Sequence, residues 1–87
     1  MYADLLDVTV GPESRMRGVE VWELRLPNGA AVTLVVRAGA AFVPTPNTVL
    51  EGGDQLLIVA THGVRAATEE RLQAVSRGGR LARFTGR

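Results

Sequence analysis

Cysteine and lysine are absent from this 87-residue chain, and histidine, tryptophan and tyrosine occur once each. Without cysteine there is no disulfide framework, no thiolate nucleophile and no Cys-type zinc site, so packing alone must hold the fold. Without lysine a P-loop has nothing to reach the β and γ phosphates, and Gly52-Gly53 does not lead from a strand directly into a helix as a dinucleotide fingerprint requires. His62 has no nucleophile-elbow serine and no triad spacing around it, and at a helix start it reads as a cap or a solvent-facing side chain. Asp4, Asp7, Glu13 and Glu20 lack the spacing of a metal-ligand loop, and Glu69-Glu70, adjacent on a helix, point in different directions. No apolar run approaches the roughly 20 residues that span a bilayer, and acidic Asp4 stands where a secretory signal wants basic residues. These absences speak against an enzyme, a resident metal or a cofactor, and they lead us to expect a cytoplasmic chain.

What is present is aliphatic. Apolar residues make up 46% of the sequence but only four are aromatic. A chain of this size forms one domain and buries only about 60 to 65% of the surface its unfolded form exposes, so the core is thin and a homodimer is a natural way to extend it. The formal charge is +1, but all ten basic residues are arginine, and Arg71, Arg77, Arg80, Arg83 and Arg87 crowd the C-terminal end. Such a tail is a solvated terminus or a contact for anionic surfaces. It is the sole support for a β-rich DNA-binding dimer, and no specific nucleic-acid partner is expected.

The densest apolar stretch, residues 30–60, sets the organisation. Val32, Leu34 and Val36 alternate with Thr33, Val35 and Arg37 as in a strand with one buried face. Ala38-Gly39 breaks the alternation and residues 40–43 resume it, which predicts an antiparallel hairpin ended by Pro44. Val49 and Leu50 are expected to plug the core from a turn-rich segment. Residues 54–60 place Leu56, Ile58 and Ala60 on one face and Leu57 and Val59 on the other, so this strand should be central and buried on both sides. Upstream, residues 5–10 read as a strand with one wet face, Met16 as a core contact from a loop, and residues 19–26 as a helix of about two turns ended by Pro27-Asn28-Gly29. Trp22 is assigned to core or dimer packing. An amphipathic helix over residues 64–76 buries Val64, Ala67, Thr68, Leu72 and Val75, turns Arg65, Glu69, Glu70, Arg71 and Gln73 elsewhere, and ends at Gly78-Gly79. The result is a small two-layer α+β domain. It has a mainly antiparallel sheet of about four strands, a short helix after the first strand and a C-terminal amphipathic helix, with a core over 5–76 and a basic tail over 77–87.

The succession L-x-L-P-x-G at 24–29, V-x-L-V-V-R-x-G at 32–39, P-x-P-x-T-x-L at 44–50 and G-D-x-L-L-I-V at 53–59 resembles the TrkA-C domain, the C-lobe of RCK domains. The ending A-V-S-R-G-G-R-L-A-R-F at 74–84 is similar to the cytosolic C-termini of actinobacterial potassium/proton antiporters. The resemblance implies a regulatory, dimer-forming lobe at the inner face of the membrane, working on a transporter domain in the same or an associated chain. Some relatives bind cyclic di-AMP across the dimer seam, with apolar side chains against the adenines, an arginine toward phosphate and an asparagine toward a base. Carried over by position, the apolar contacts are Val21, Leu26 and Val32. Pro27 stands where those relatives carry arginine and Ala31 where they carry asparagine, so the phosphate contact falls to Arg25 or Arg37. The alternative is a constitutive homodimeric assembly module with no small ligand, in which Val21, Leu26 and Val32 are plain dimer packing.

Overall fold

The computed structural model describes residues 3–79; Arg80, Arg83 and Arg87 of the basic tail lie outside the described residues. Four strands, β1 (Ala3–Thr9), β2 (Ala30–Arg37), β3 (Ala40–Phe42) and β4 (Gln55–Thr61), form one sheet in the order β1-β4-β2-β3, and every pairing is antiparallel. Helix α1 (Arg65–Gly78) follows β4 through a 3-10 turn, His62–Val64. The expected α+β architecture is therefore present, with β4 inside the sheet.

Strand alternation divides the sheet into two unlike faces. Leu6 and Val8 of β1 oppose Ile58 and Leu56 of β4, which in turn oppose Val32 and Val35 of β2. With Val10, Met16, Val19, Leu24, Leu50, Leu72 and Val75 these residues make the core or pack against it. The other face carries Leu5, Leu34, Val36, Leu57 and Val59, of which Leu5 is exposed and the rest half-buried. Sequence alternation led us to expect burial on both sides of β4; in a single copy only one side is covered, because α1 is the only helix beyond single 3-10 turns among the described residues and it lies on the inner face.

The β2–β3 hairpin turns at Ala38-Gly39, both with positive φ (51° and 81°), so that Arg37 pairs with Ala40. Two consecutive left-handed residues are what a two-residue turn needs to match strand twist. Between Val32 and Leu34 the β2–β4 register slips, leaving Thr33 as an extra residue whose hydroxyl donates to the Leu57 carbonyl at 2.9 Å.

Three local expectations differ. The two-turn helix over 19–26 is a single 3-10 turn, Val21–Leu24. Its first amides are used elsewhere: Val21 N–H donates to the Thr48 carbonyl at 2.9 Å and Trp22 N–H to that of Pro46 at 3.1 Å. Arg25, at φ 52°, then ends it in the left-handed region, and Pro27 follows. Leu50 is fully buried, but Val49 is exposed and contributes its backbone, bridged to Glu20. Arg71, expected off the buried stripe of α1, is inside it with Thr68, Leu72 and Val75. The helix stops at Gly79, whose N–H returns to the Val75 carbonyl and whose absent Cβ leaves room for the Arg15 carbonyl.

Asp54 is fully buried and is held by Arg37, whose Nε donates to Oδ1 at 2.9 Å and Nη2 to Oδ2 at 2.7 Å. Nη2 also reaches the Val49 carbonyl at 2.8 Å, and Glu51 N–H donates to Asp54 Oδ2 at 2.9 Å. The Arg37 guanidinium lies over the Phe42 ring, 5.2 Å from its centroid. The Arg37 hydrogen bond holds the Asp54 carboxyl below the usual carboxylate range, against the opposing effect of burial. Asp54→Asn removes the charge-assisted acceptor for the part-exposed Arg37 guanidinium and is expected to cost about 2 kcal/mol in urea unfolding. Because the folded-state pKa is the lower one, the unfolded chain takes up more protons in acid. The contribution of the pair is present above about pH 4, the ordinary aspartate range, and is lost as pH falls through the folded-state value. Unfolding curves of wild type and Asp54→Asn should therefore converge as the solution is acidified.

Candidate functional site

The first 3-10 turn stands beside the N-terminal half of β2, and the two define a cleft of about 320 Å³. Val21, Trp22, Arg25 and Leu26 form one wall, Ala30, Ala31 and Val32 the floor, and Pro44, Thr45 and Pro46 the far wall. The chain reaches this arrangement for local reasons. Pro44 ends β3 after three residues, so β3 pairs only with residues 35–37 of β2, and residues 30–32 have β4 on one side and no strand on the other. Ala30 N–H is taken by the Pro27 carbonyl at 3.0 Å, so the edge left to whatever enters the cleft is that of residues 31–32.

The wall is set by how the 3-10 turn is braced. Glu23 Oε1 accepts from Glu20 N–H at 2.9 Å, closing the start of the turn. Glu20 Oε1 accepts from the indole Nε1 of Trp22 at 2.8 Å and from Asn47 Nδ2 at 3.0 Å, which ties the turn to loop 45–50 and fixes the tryptophan ring. Trp22 remains 52% exposed, so within one copy it is a cleft wall and not part of the core, which leaves dimer packing of the two expectations. Beneath the turn Leu24 is fully buried, and Arg71 Nε from α1 donates to its carbonyl at 3.0 Å.

Of the five residues expected in a ligand site, Val21, Arg25, Leu26 and Val32 line this cleft and Arg37 does not. The Arg37 guanidinium is committed to Asp54, Val49 and Glu51, which makes it a structural cation. Trp22, Pro44, Thr45 and Pro46 were not anticipated as site residues. The P-T-P motif carried a signal, since a proline that stops one strand leaves its neighbour's edge uncovered. His62 is exposed, 3.6 Å from Asp4 through Nδ1, and Arg65 comes within 3.8 Å of the same carboxylate oxygen. Among the described residues no helix is long and apolar enough to cross a membrane.

The TrkA-C domain model matches residues 5–73. The chain belongs to the TrkA-C family. This TrkA-C domain is 38% identical over 68 residues to the Trk system potassium uptake protein TrkA of Mycobacterium tuberculosis, in both strain CDC 1551 / Oshkosh and strain H37Rv. That match takes in 78% of this chain but 30% of the relative, so the chain spans under a third of the length of the proteins it matches. Among solved structures it is similar to the RCK_C domain dimer of S. agalactiae BusR in complex with c-di-AMP. There the TM-score is 0.61 at 25% identity, covering 79% of this chain and 95% of the other. It also shares its fold with an RCK domain solved with cda, at TM-score 0.57 and 16% identity, covering 77% and 94% of the two chains.

Gly29 is the residue on which the cleft floor depends. It sits at φ 98°, its carbonyl accepts from Thr61 N–H at 2.8 Å, and an added Cβ would stand 2.8 Å from Thr61 Oγ1. Gly29→Ala combines a left-handed strain with a contact at the end of β4. Denaturant unfolding should show a loss of more than about 1 kcal/mol, with the Trp22 emission maximum shifted in the folded state.

Proposed function

We propose that this TrkA-C domain is the regulatory and dimer-forming lobe of a potassium transport system. In this reading it acts at the cytoplasmic face of a cation/proton antiporter encoded in the same or an associated chain, has no catalytic role, and takes cyclic di-AMP in the cleft beside Trp22. The observation that carries the reading is convergence. Val21 and Leu26 of the turn and Val32 of the following strand, with Pro44 and Pro46 from a loop twelve or more residues further on, meet Arg25 in one groove floored by an unpaired strand edge. Adenine asks for that combination: an apolar slot for its faces, main-chain hydrogen-bonding groups for its edge, and a cation for the attached phosphate.

The volume bears on stoichiometry. About 320 Å³ lies at the small end of ligand pockets and suits one nucleotide half. A two-fold symmetric dinucleotide matches a two-fold symmetric pair of such clefts, one half in each. The BusR domain to which this chain is similar is a dimer in complex with c-di-AMP, and that likeness supports the reading. A second reading, a constitutive clamp without ligand, draws on the half-exposed Trp22 and on Val43, both apolar and open to water beside the same groove.

Titrating cyclic di-AMP into the purified domain separates the two. A sensor should change Trp22 fluorescence saturably and, at ligand near one hundred times the dissociation constant, gain about 2.7 kcal/mol of stability, raising the melting temperature by roughly 10 to 20 °C. A flat response to high ligand, in a chain that sediments as a dimer, would leave the clamp.

A further inference from the structure

Among the described residues no anion pairs with Arg71, which sits inside the domain. Its side chain comes from the buried stripe of α1, the residue is 6% exposed, and its Nη2 is buried with no hydrogen-bond partner. Among the described residues its anchor is the Leu24 carbonyl, 47 positions earlier in the chain. The residue after Leu24 is Arg25, which lines the cleft in a left-handed conformation that a side chain rarely adopts. Among the described residues, neither arginine has a carboxylate within ion-pairing distance; the ion pairs present use Arg37, His62 and Arg65. The carboxylates of the turn itself face other work. Glu23 accepts from Glu20 N–H, and Glu20 accepts from Trp22 and Asn47.

A buried cation costs desolvation, and natural cores tolerate one when something repays it. If packing were all that this position required, leucine or methionine would serve it without that cost. A guanidinium with one bond to a main-chain carbonyl and the next charge positive is under-compensated; burial first, and then the Arg25 charge, push the Arg71 pKa down from the usual arginine range. The group nevertheless stays cationic at neutral pH.

We propose that Arg25 and Arg71 form the anion subsite of the cleft. Arg25 is the contact group for a phosphate-class anion, and Arg71 is its positioning residue, fixing the Leu24–Arg25 peptide plane and supplying a second positive charge from below. This deepens the cyclic di-AMP reading and rests on it for the identity of the anion, a phosphodiester. It also gives the missing arginine at Pro27 a replacement built differently: one exposed guanidinium in reach of the ligand and one buried guanidinium behind it. Because Arg71 belongs to α1, the anion is felt in the helical layer as well as in the cleft.

The test compares wild type with Arg25→Gln, Arg71→Met and Arg71→Lys by calorimetry, using cyclic di-AMP, neutral adenosine and sodium pyrophosphate as probes at low and raised salt. Arg25→Gln and Arg71→Met should each weaken cyclic di-AMP and pyrophosphate by about tenfold and flatten their salt dependence, with adenosine affinity unchanged. Arg71→Lys, which keeps the charge, should lose much less. Equal weakening of adenosine and cyclic di-AMP by Arg71→Met would reduce Arg71 to a brace of the turn and overturn the proposal, as would unchanged affinity for both anions. Should Arg71→Met not fold, the Arg71 Nε–H resonance of the wild-type chain decides: it should move when pyrophosphate binds, and a fixed resonance refutes the subsite. Pyrophosphate bound through both arginines by a chain that ignores cyclic di-AMP keeps the subsite and refutes the nucleotide reading. Cyclic di-AMP bound equally well by every variant does the reverse.

Discussion

A carboxylate sealed from water must have its oxygens matched by donors, and in this domain that requirement at Asp54 organises the meeting of three strands. Arg37 supplies two donors and Glu51 N–H a third, while the Asp54 carbonyl accepts from Val10 N–H at 2.8 Å. One residue thus gathers the end of β2, the end of β1 and the entry to β4. The same guanidinium holds the Val49 carbonyl, so loop 44–54 is fastened as well. That loop then lends out its own backbone: Leu50 exchanges hydrogen bonds with Gly18 and Val19, Thr48 receives Val21, and Pro46 receives Trp22. Both walls of the cleft therefore descend from one ion pair. Its outer partner Glu51 is largely exposed and contributes little, since solvent screens it.

This dependence explains what could and could not be read in the sequence. The sheet was legible because residues 32–37 and 55–60 are strand-length runs of mainly aliphatic residues, many of them β-branched, and because Ala38-Gly39 falls where a two-residue hairpin turn must fall. Periodicity is a local signal, and those are local features. The first 3-10 turn was over-read as two helical turns because the amides that shorten it bond to Thr48 and Pro46, more than twenty residues away. Arg37 was read as a phosphate contact, and nothing local in the sequence announces that Asp54, 17 residues on, engages its guanidinium. Arg71 is a different case. Its spacing from Val64, Thr68 and Val75 puts it on the buried stripe, and the expectation that arginine is solvated overrode a period that was there to be counted. The meeting of Val21, Leu26 and Val32 came from family resemblance; no repeat or spacing in the sequence brings a turn and a strand together across the Pro27–Gly29 exit.

The unlike faces of the sheet bear on how much the domain can do alone. Its inner face has a helix, a loop and the 3-10 turn over it, whereas Leu5, Leu34, Leu57 and Val59 of the outer face have no such cover in one copy. The core that remains is aliphatic and small, and its stability leans on polar anchoring at Asp54, at Gly29 and at the Leu24 carbonyl. Each anchor joins segments distant in sequence, so the loss of any one loosens the cleft before it dismantles the sheet.

Anchoring of this kind also decides what a ligand could accomplish. A molecule shared between two clefts ties ligand affinity to the pairing of the two copies, and linkage makes the coupling reciprocal: whatever favours the paired arrangement tightens the ligand by the same factor. Regulation needs more than tight binding, because a ligand held equally well in two arrangements shifts neither. The asymmetry has to come from a contact that differs between them. Val21, Leu26 and Val32 are unsuited to that role, since apolar contacts tolerate small displacements. In the proposed subsite a phosphate between Arg25 and the field of Arg71 would be far less forgiving, because the strength of a charge-assisted contact depends on distance and angle. On that proposal a displacement of the anion would reach α1 through Leu24 and Arg71. The physical route from cleft to helix is thus one carbonyl and one side chain long.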